Sequence, residues 1–223
     1  MRLRILVSSM LFFTLAACSV LGIGESPAPP LTKAEAKKAL LTRADFPKGW
    51  TRDSDEPTGD DDIKMTRGSK ACKRLIYGVD DDAPTMLERS YSSPDESTTI
   101  GHGIESYAED DAEREFNRDV KMLYSCDRFR LGDGKHVSVR FTLKLVPYEN
   151  IGDDSAAYQA VGVIGDTKMF LDFAAVRVGQ NVVSIFSFRI GSAIPDRKMR
   201  RYMNLALAKL DKVDKVDKVD KVA

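Results

Sequence analysis

His102 and His136 are the two side chains of this 223-residue chain whose ordinary pKa suits proton transfer near neutrality. Serines and aspartates are plentiful, so a Ser/His/Asp hydrolase around either histidine is one reading. The motifs that give such sites their geometry are absent: no Gly-x-Ser-x-Gly elbow, His-Glu-x-x-His, Cys-x-x-Cys, phosphate-binding glycine loop or dinucleotide fingerprint occurs. Asp60-Asp61-Asp62 and Asp80-Asp81-Asp82 invite a cation. Neither triplet has the alternating acids, central glycine and terminal glutamate of a calcium loop, so both are read as solvated loops. No catalytic residue, metal or cofactor is assigned.

Cysteine carries the more specific chemistry. Cys18 closes Leu15-Ala16-Ala17-Cys18, behind the cationic start Met1-Arg2-Leu3-Arg4 and an apolar run from Ile5 to Leu15. The run has signal-peptide length and falls short of the ~20 apolar residues that span a bilayer. Small residues followed at once by cysteine form a lipobox, and the pattern resembles bacterial lipoprotein precursors, whose cysteine is diacylglycerylated before the signal is cut away. Residues 1–17 are thus expected to be a signal peptide and Cys18 the lipid-attachment site. The protein would then sit on the extracytoplasmic side of the cell membrane, with the membrane as its first partner. An ordinary secretory signal is the alternative. Acylation of Cys18 leaves Cys72 and Cys126 as an even pair, which an oxidising compartment turns into a disulfide. Closing a loop of roughly 55 residues would contribute about 4 kcal/mol. Two buried thiols are the alternative, and a zinc site lacks companion cysteines.

Charge excludes one class of partner. The 34 basic and 34 acidic residues balance, and loss of Arg2 and Arg4 with the signal leaves an acidic excess of two. No nucleic-acid partner is expected, because a polyanion binder segregates a basic excess onto one face. The candidate ligand-binding residues are Trp50, Arg140 and Arg189. Trp50 reads as a core plug beside Phe46, with ligand stacking as the alternative. Arg140 with Lys144, or Arg177 with Arg189, would line an anion-accepting groove, against the plainer reading of a solvated outer sheet face.

These side chains need elements to place them. Residues 18–31, with Pro27, Pro29 and Pro30, read as a tether. Thr32-Lys33-Ala34-Glu35 has capping-box form and opens a helix that ends before Asp45-Phe46-Pro47-Lys48-Gly49-Trp50. From Thr51 to Pro84 the composition is loop-like. Strands are expected at Thr85 to Ser92 and Ser97 to Tyr107, the second with Gly101 and Gly103 marking a bulge or a close backbone approach. An amphipathic helix from Ala108 to Ser125 carries Ala112, Phe116, Val120 and Leu123 on one face. Strands follow over His136 to Leu145, Ala156 to Ile164, Lys168 to Val178 and Asn181 to Ile190, made antiparallel by the short turns Gly165-Asp166 and Gly179-Gln180. A last helix with Met199, Tyr202, Ala206 and Leu210 would cover the face bearing Met169, Leu171, Phe173 and Ala175. The Asp-Lys-Val repeats then turn their valines by about 60° each time round a helix, which predicts a frayed, solvated extension, a partner-binding segment being the alternative. The expected fold class is α+β: a twisted antiparallel β-sheet with helices packed on one face and one disulfide. Residues 32–210 would form the domain and 211–223 the tail.

Leu41-Thr42-Arg43-Ala44-Asp45-Phe46-Pro47-Lys48-Gly49-Trp50, Cys72, the helix ending at Cys126, and Arg177-Val178-Gly179-Gln180-Asn181-Val182-Val183 together resemble the PknH-like extracellular sensor domain family of actinobacteria. The similarity covers most of residues 32 to 210. It implies an α+β fold with a cleft for an unidentified ligand. The kinase member looks to have two disulfides where this chain can form one, and no attached kinase or transmembrane segment is expected here. The expectation is a lipid-anchored, non-enzymatic binding or sensor-like module that takes a small envelope ligand. A structural lipoprotein that docks an envelope protein is the alternative.

Overall fold

The computed structural model describes residues 29–53, 64–77, 83, 85–108, 111–135 and 138–220, with 215–220 described as backbone alone. The strands are β1 (Thr51–Arg52), β2 (Lys64–Gly68), β3 (Thr85–Ser92), β4 (Thr98–Ser106), β5 (Arg128–Gly132), β6 (Ser138–Leu145), β7 (Asp154–Ile164), β8 (Thr167–Val178) and β9 (Asn181–Ile190). They form one antiparallel sheet in the order β1-β3-β4-β9-β8-β7-β6-β5-β2. The helices are α1 (Lys33–Ala39), α2 (Lys70–Tyr77), α3 (Asp111–Tyr124) and α4 (Asp196–Asp220). The chain is therefore α+β, with the Cys72–Cys126 disulfide formed at an S–S distance of 2.09 Å.

Local chemistry sets the first helix. The Thr32 hydroxyl accepts from the Glu35 amide at 3.3 Å, while the Glu35 carboxylate accepts from the Thr32 amide at 2.6 Å. This reciprocal cap satisfies two of the donors a helix start leaves open. Asp45 repeats the device on Thr42 around a single 3-10 turn. Gly49 then takes φ 95°, a left-handed angle that suits glycine, and brings Trp50 back beneath Phe46.

The sheet is apolar on both sides, and helices cover both. On its front face Ala174 and Val176 of β8, Val183 and Ile185 of β9, and Ile100 and Ile104 of β4 pack under α1 and α4. On its back face Ala175 and Val182 meet Ala112 and Phe116 of α3, while Phe129, Phe141 and Leu143 lie under α2 and the disulfide. The expectation of helices on one face thus describes α1 and α4, and α2 and α3 form a second layer. The last helix also covers the opposite side of β8 from the one expected. Leu171, Phe173 and Ala175 alternate with Asp172, Ala174 and Val176, so both faces of the strand are apolar and alternation alone does not say which one α4 takes.

Three further differences have local causes. The stretch read as loop contains β2 and α2, and β5 follows Cys126 directly. In α2, Cys72, Leu75 and Ile76 share a face at helical spacing, and the Ser69 hydroxyl caps the start by accepting from the Cys72 amide at 3.1 Å. Gly101 and Gly103 lie in an unbroken β3-β4-β9 register, so no bulge forms there. The Asp-Lys-Val segment stays helical to Asp220, and Val213 is buried in the front core. Val213 follows Leu210 by three residues and Ala206 by seven, so it still sits on the α4 stripe before the valines rotate away.

Candidate functional site

An apolar cleft of about 310 Å³ lies on the back face, between α2, α3 and strands β3, β4, β9, β8 and β7. Leu75 and Ile76 of α2 form one wall, Phe116, Val120 and Leu123 of α3 the other, and Phe173, Val182 and Phe186 the floor. The floor depends on glycine. A Cβ at Gly101 would lie 1.9 Å from the Phe186 ring, and one at Gly103 would lie 2.6 Å from the Ser184 hydroxyl. The missing side chains of β4 leave the space that β9 fills. This is the close approach expected at these two positions.

Polar groups edge the cleft: Glu88, Glu105, Asp119 and Arg74. The Tyr107 hydroxyl donates to Glu105, and Arg118 lies 3.7 Å from Asp119. Glu88 keeps an exposed flank, yet desolvation holds its carboxyl above its ordinary value. Three acids against Arg74 and Arg118 give the mouth an acidic bias. An apolar interior with a few polar groups at its rim is the form of a small-molecule site.

None of the candidate ligand-binding residues Trp50, Arg140 and Arg189 lines this cleft. Trp50 is 6% exposed, stacks on Phe46 at 5.3 Å between ring centroids, and has the Lys198 ammonium 5.3 Å from its ring. Phe46 stacks in turn on Tyr91 and Tyr202, so Trp50 belongs to the front core and offers no exposed stacking surface. Arg189 lies near the start of α4, donating to the Ala193 carbonyl at 3.4 Å, and its charge adds to the burial that lowers the Lys198 pKa. Arg140 is exposed on β6, three strands from Arg189. Arg177 is occupied by Asp154, its Nε donating at 2.7 Å. The cleft residues that sequence reasoning missed, Leu75 and Ile76, carried a usable signal in their spacing from Cys72.

His102 is 1% exposed, and its Nδ1 accepts from the Leu41 amide at 2.9 Å. Burial, with the charges of Lys209 and Arg89, pushes its pKa down to about 3. A neutral imidazole sealed in the front core cannot serve a substrate arriving from solvent. His136, Cys18 and both aspartate triplets lie outside the described residues. Among the described residues no group of three His, Cys, Asp or Glu side chains is placed to hold a metal, and no helix is long and apolar enough to cross a membrane.

No protein-family model matches the chain, and no curated protein matches it. Among solved structures it is similar to the extracellular domain of PknH from Mycobacterium tuberculosis, with a TM-score of 0.58 over 84% of this chain and 98% of that one. The two sequences are 11% identical, so what the comparison establishes is a shared fold.

Proposed function

We propose that the protein is a non-catalytic binding module, held outside the cell membrane through a lipid on Cys18, whose ligand is a neutral or cationic amphiphile seated in the cleft. The observation that carries this reading is the cleft itself, apolar within and acidic at its mouth. The fold it shares with an extracellular domain and the Cys72–Cys126 disulfide both support an extracytoplasmic setting. The burial of His102 removes one base on which a hydrolase would depend.

The test is calorimetric titration and thermal shift of the purified protein with 1-decanol, decyltrimethylammonium and decanoate. The neutral and cationic probes should bind and raise Tm, with decanoate weaker. Met86 lines the mouth and is 52% exposed, so Met86→Asp should weaken 1-decanol binding without unfolding the protein. Absence of binding by all three probes, or binding indifferent to Met86→Asp, would sink the amphiphile reading. Anchoring is tested separately: Cys18→Ser should release the protein from the membrane fraction of expressing cells.

A further inference from the structure

The end of the front face beyond α1 and α4 carries a concentrated positive charge. Strands β2, β5 and β6 contain no acidic residue. Their front side carries Lys64, Arg67, Arg128, Arg130, Arg140 and Lys144, although the whole chain is charge-balanced. Three of the arginines stand in one row, Arg67 directly opposite Arg130 and Arg130 directly opposite Arg140.

Such a row is unfavourable by itself. Adjacent strands are about 4.8 Å apart, so the three guanidinium groups stand on bases spanning about 10 Å, and like charges directly opposite destabilise a sheet. Asp127 lies 3.3 Å from Arg128, but Arg67, Arg130 and Arg140 have no carboxylate partner among the described residues. Arg67, Arg128, Arg130 and Arg140 border one open groove of about 500 Å³.

Beside the row the surface changes character. Val163 stands directly opposite Arg140, on the same face, and is 51% exposed. A soluble polyanion would satisfy the arginines and leave this aliphatic side chain in water. A lipid surface satisfies both, with headgroup phosphates for the guanidinium groups and the interfacial layer for Val163. Among the described residues, the core under α1 and α4 includes no residue of β2, β5 or β6.

We propose that the front face of β2, β5 and β6 docks on an anionic phospholipid membrane, with Arg67, Arg130 and Arg140 on the headgroup phosphates and Val163 at the interface. This is independent of the cleft, which opens on the back face, and of acylation at Cys18. A basic side chain near an anionic surface contributes roughly 1 kcal/mol, so the row gives reversible binding that weakens with salt.

The experiment uses the protein lacking residues 1–18, which contribute none of the described elements, in sedimentation with vesicles of phosphatidylcholine alone or with 30 mol% phosphatidylglycerol. Binding should require phosphatidylglycerol and fall with added sodium chloride. Arg130→Glu with Arg140→Glu should lower partition by at least about tenfold at unchanged Tm. Lys33→Glu with Lys38→Glu on α1 makes the same change in net charge and should leave partition within about twofold. Equal binding to both vesicle types, or retention by the Arg130/Arg140 variant, would overturn the proposal. So would binding of inorganic pyrophosphate with no binding to vesicles.

Discussion

The ring of Phe186 lies over Gly101 so closely that a Cβ at position 101 would sit 1.9 Å from ring Cε1. The two residues are directly opposite in the β4-β9 register, and the ring forms part of the cleft floor. Gly101→Ala should therefore cost about 1–3 kcal/mol in urea unfolding, the usual range for overpacking. Phe186→Leu in the same background should recover part of that loss, giving a non-zero coupling in the double-mutant cycle. Strictly additive effects would refute the contact.

The disulfide ties α2 to Cys126, two residues beyond α3, across 54 positions. Replacing both Cys72 and Cys126 with serine should cost about 2–5 kcal/mol by denaturant titration under oxidising conditions. Under reducing conditions the native protein should approach the stability of the variant. No difference between the two proteins would mean that the cross-link constrains nothing.

His102 makes acid sensitivity predictable in sign. Its ordinary value is 6.5 and its folded value about 3, so the unfolded chain takes up a proton at a pH where the native state does not. Its contribution is complete above pH 6.5 and lost progressively as pH falls toward 3. His102→Asn, which keeps an acceptor for the Leu41 amide, should flatten the stability profile in that window. Asp95, held near 2 by hydrogen bonds from Ser93 and Ser97, adds a second acid-labile contribution, lost as pH falls from 3.8 toward 2, in either protein.

Val213 marks where the repeat tail stops being solvent. It is 8% exposed and packs in the front core with Leu210. Val213→Asp should lower stability by about 1–3 kcal/mol, since it exchanges buried aliphatic surface for an unpaired carboxylate. Lys212→Ala, one residue earlier and exposed, should stay within about 0.5 kcal/mol. Equal thermal midpoints for the two variants would contradict the packing.

Much of the fold was legible because it follows local rules. The Thr32 and Glu35 cap, the helix carrying Ala112 and Phe116, and the strands on either side of Gly165 and Gly179 all follow from spacing and turn chemistry within a few residues. The elements that went unread are short and polar. In β2 Lys64, Thr66 and Arg67 surround Met65, and α2 spans eight residues, so neither shows a periodicity that stands out from loop composition. The candidate site was less legible than the fold. Trp50 drew notice as the single tryptophan and lies in the core, whereas the cleft is walled by ordinary aliphatics.

By itself the sequence determined the types of the longer elements, the antiparallel hairpins of the second half and the cysteine pair, because each rests on periodicity, caps and turns set by neighbouring residues. Tertiary structure decided which side of β8 receives α4, since both sides are apolar. It decided that Phe186 fills the space left by Gly101 to floor a cleft. It also decided that Arg67, Arg130 and Arg140, scattered along the chain, form one row. Strand partners are chosen by long-range pairing across the sheet, and local spacing carries no record of which distant strand will lie alongside.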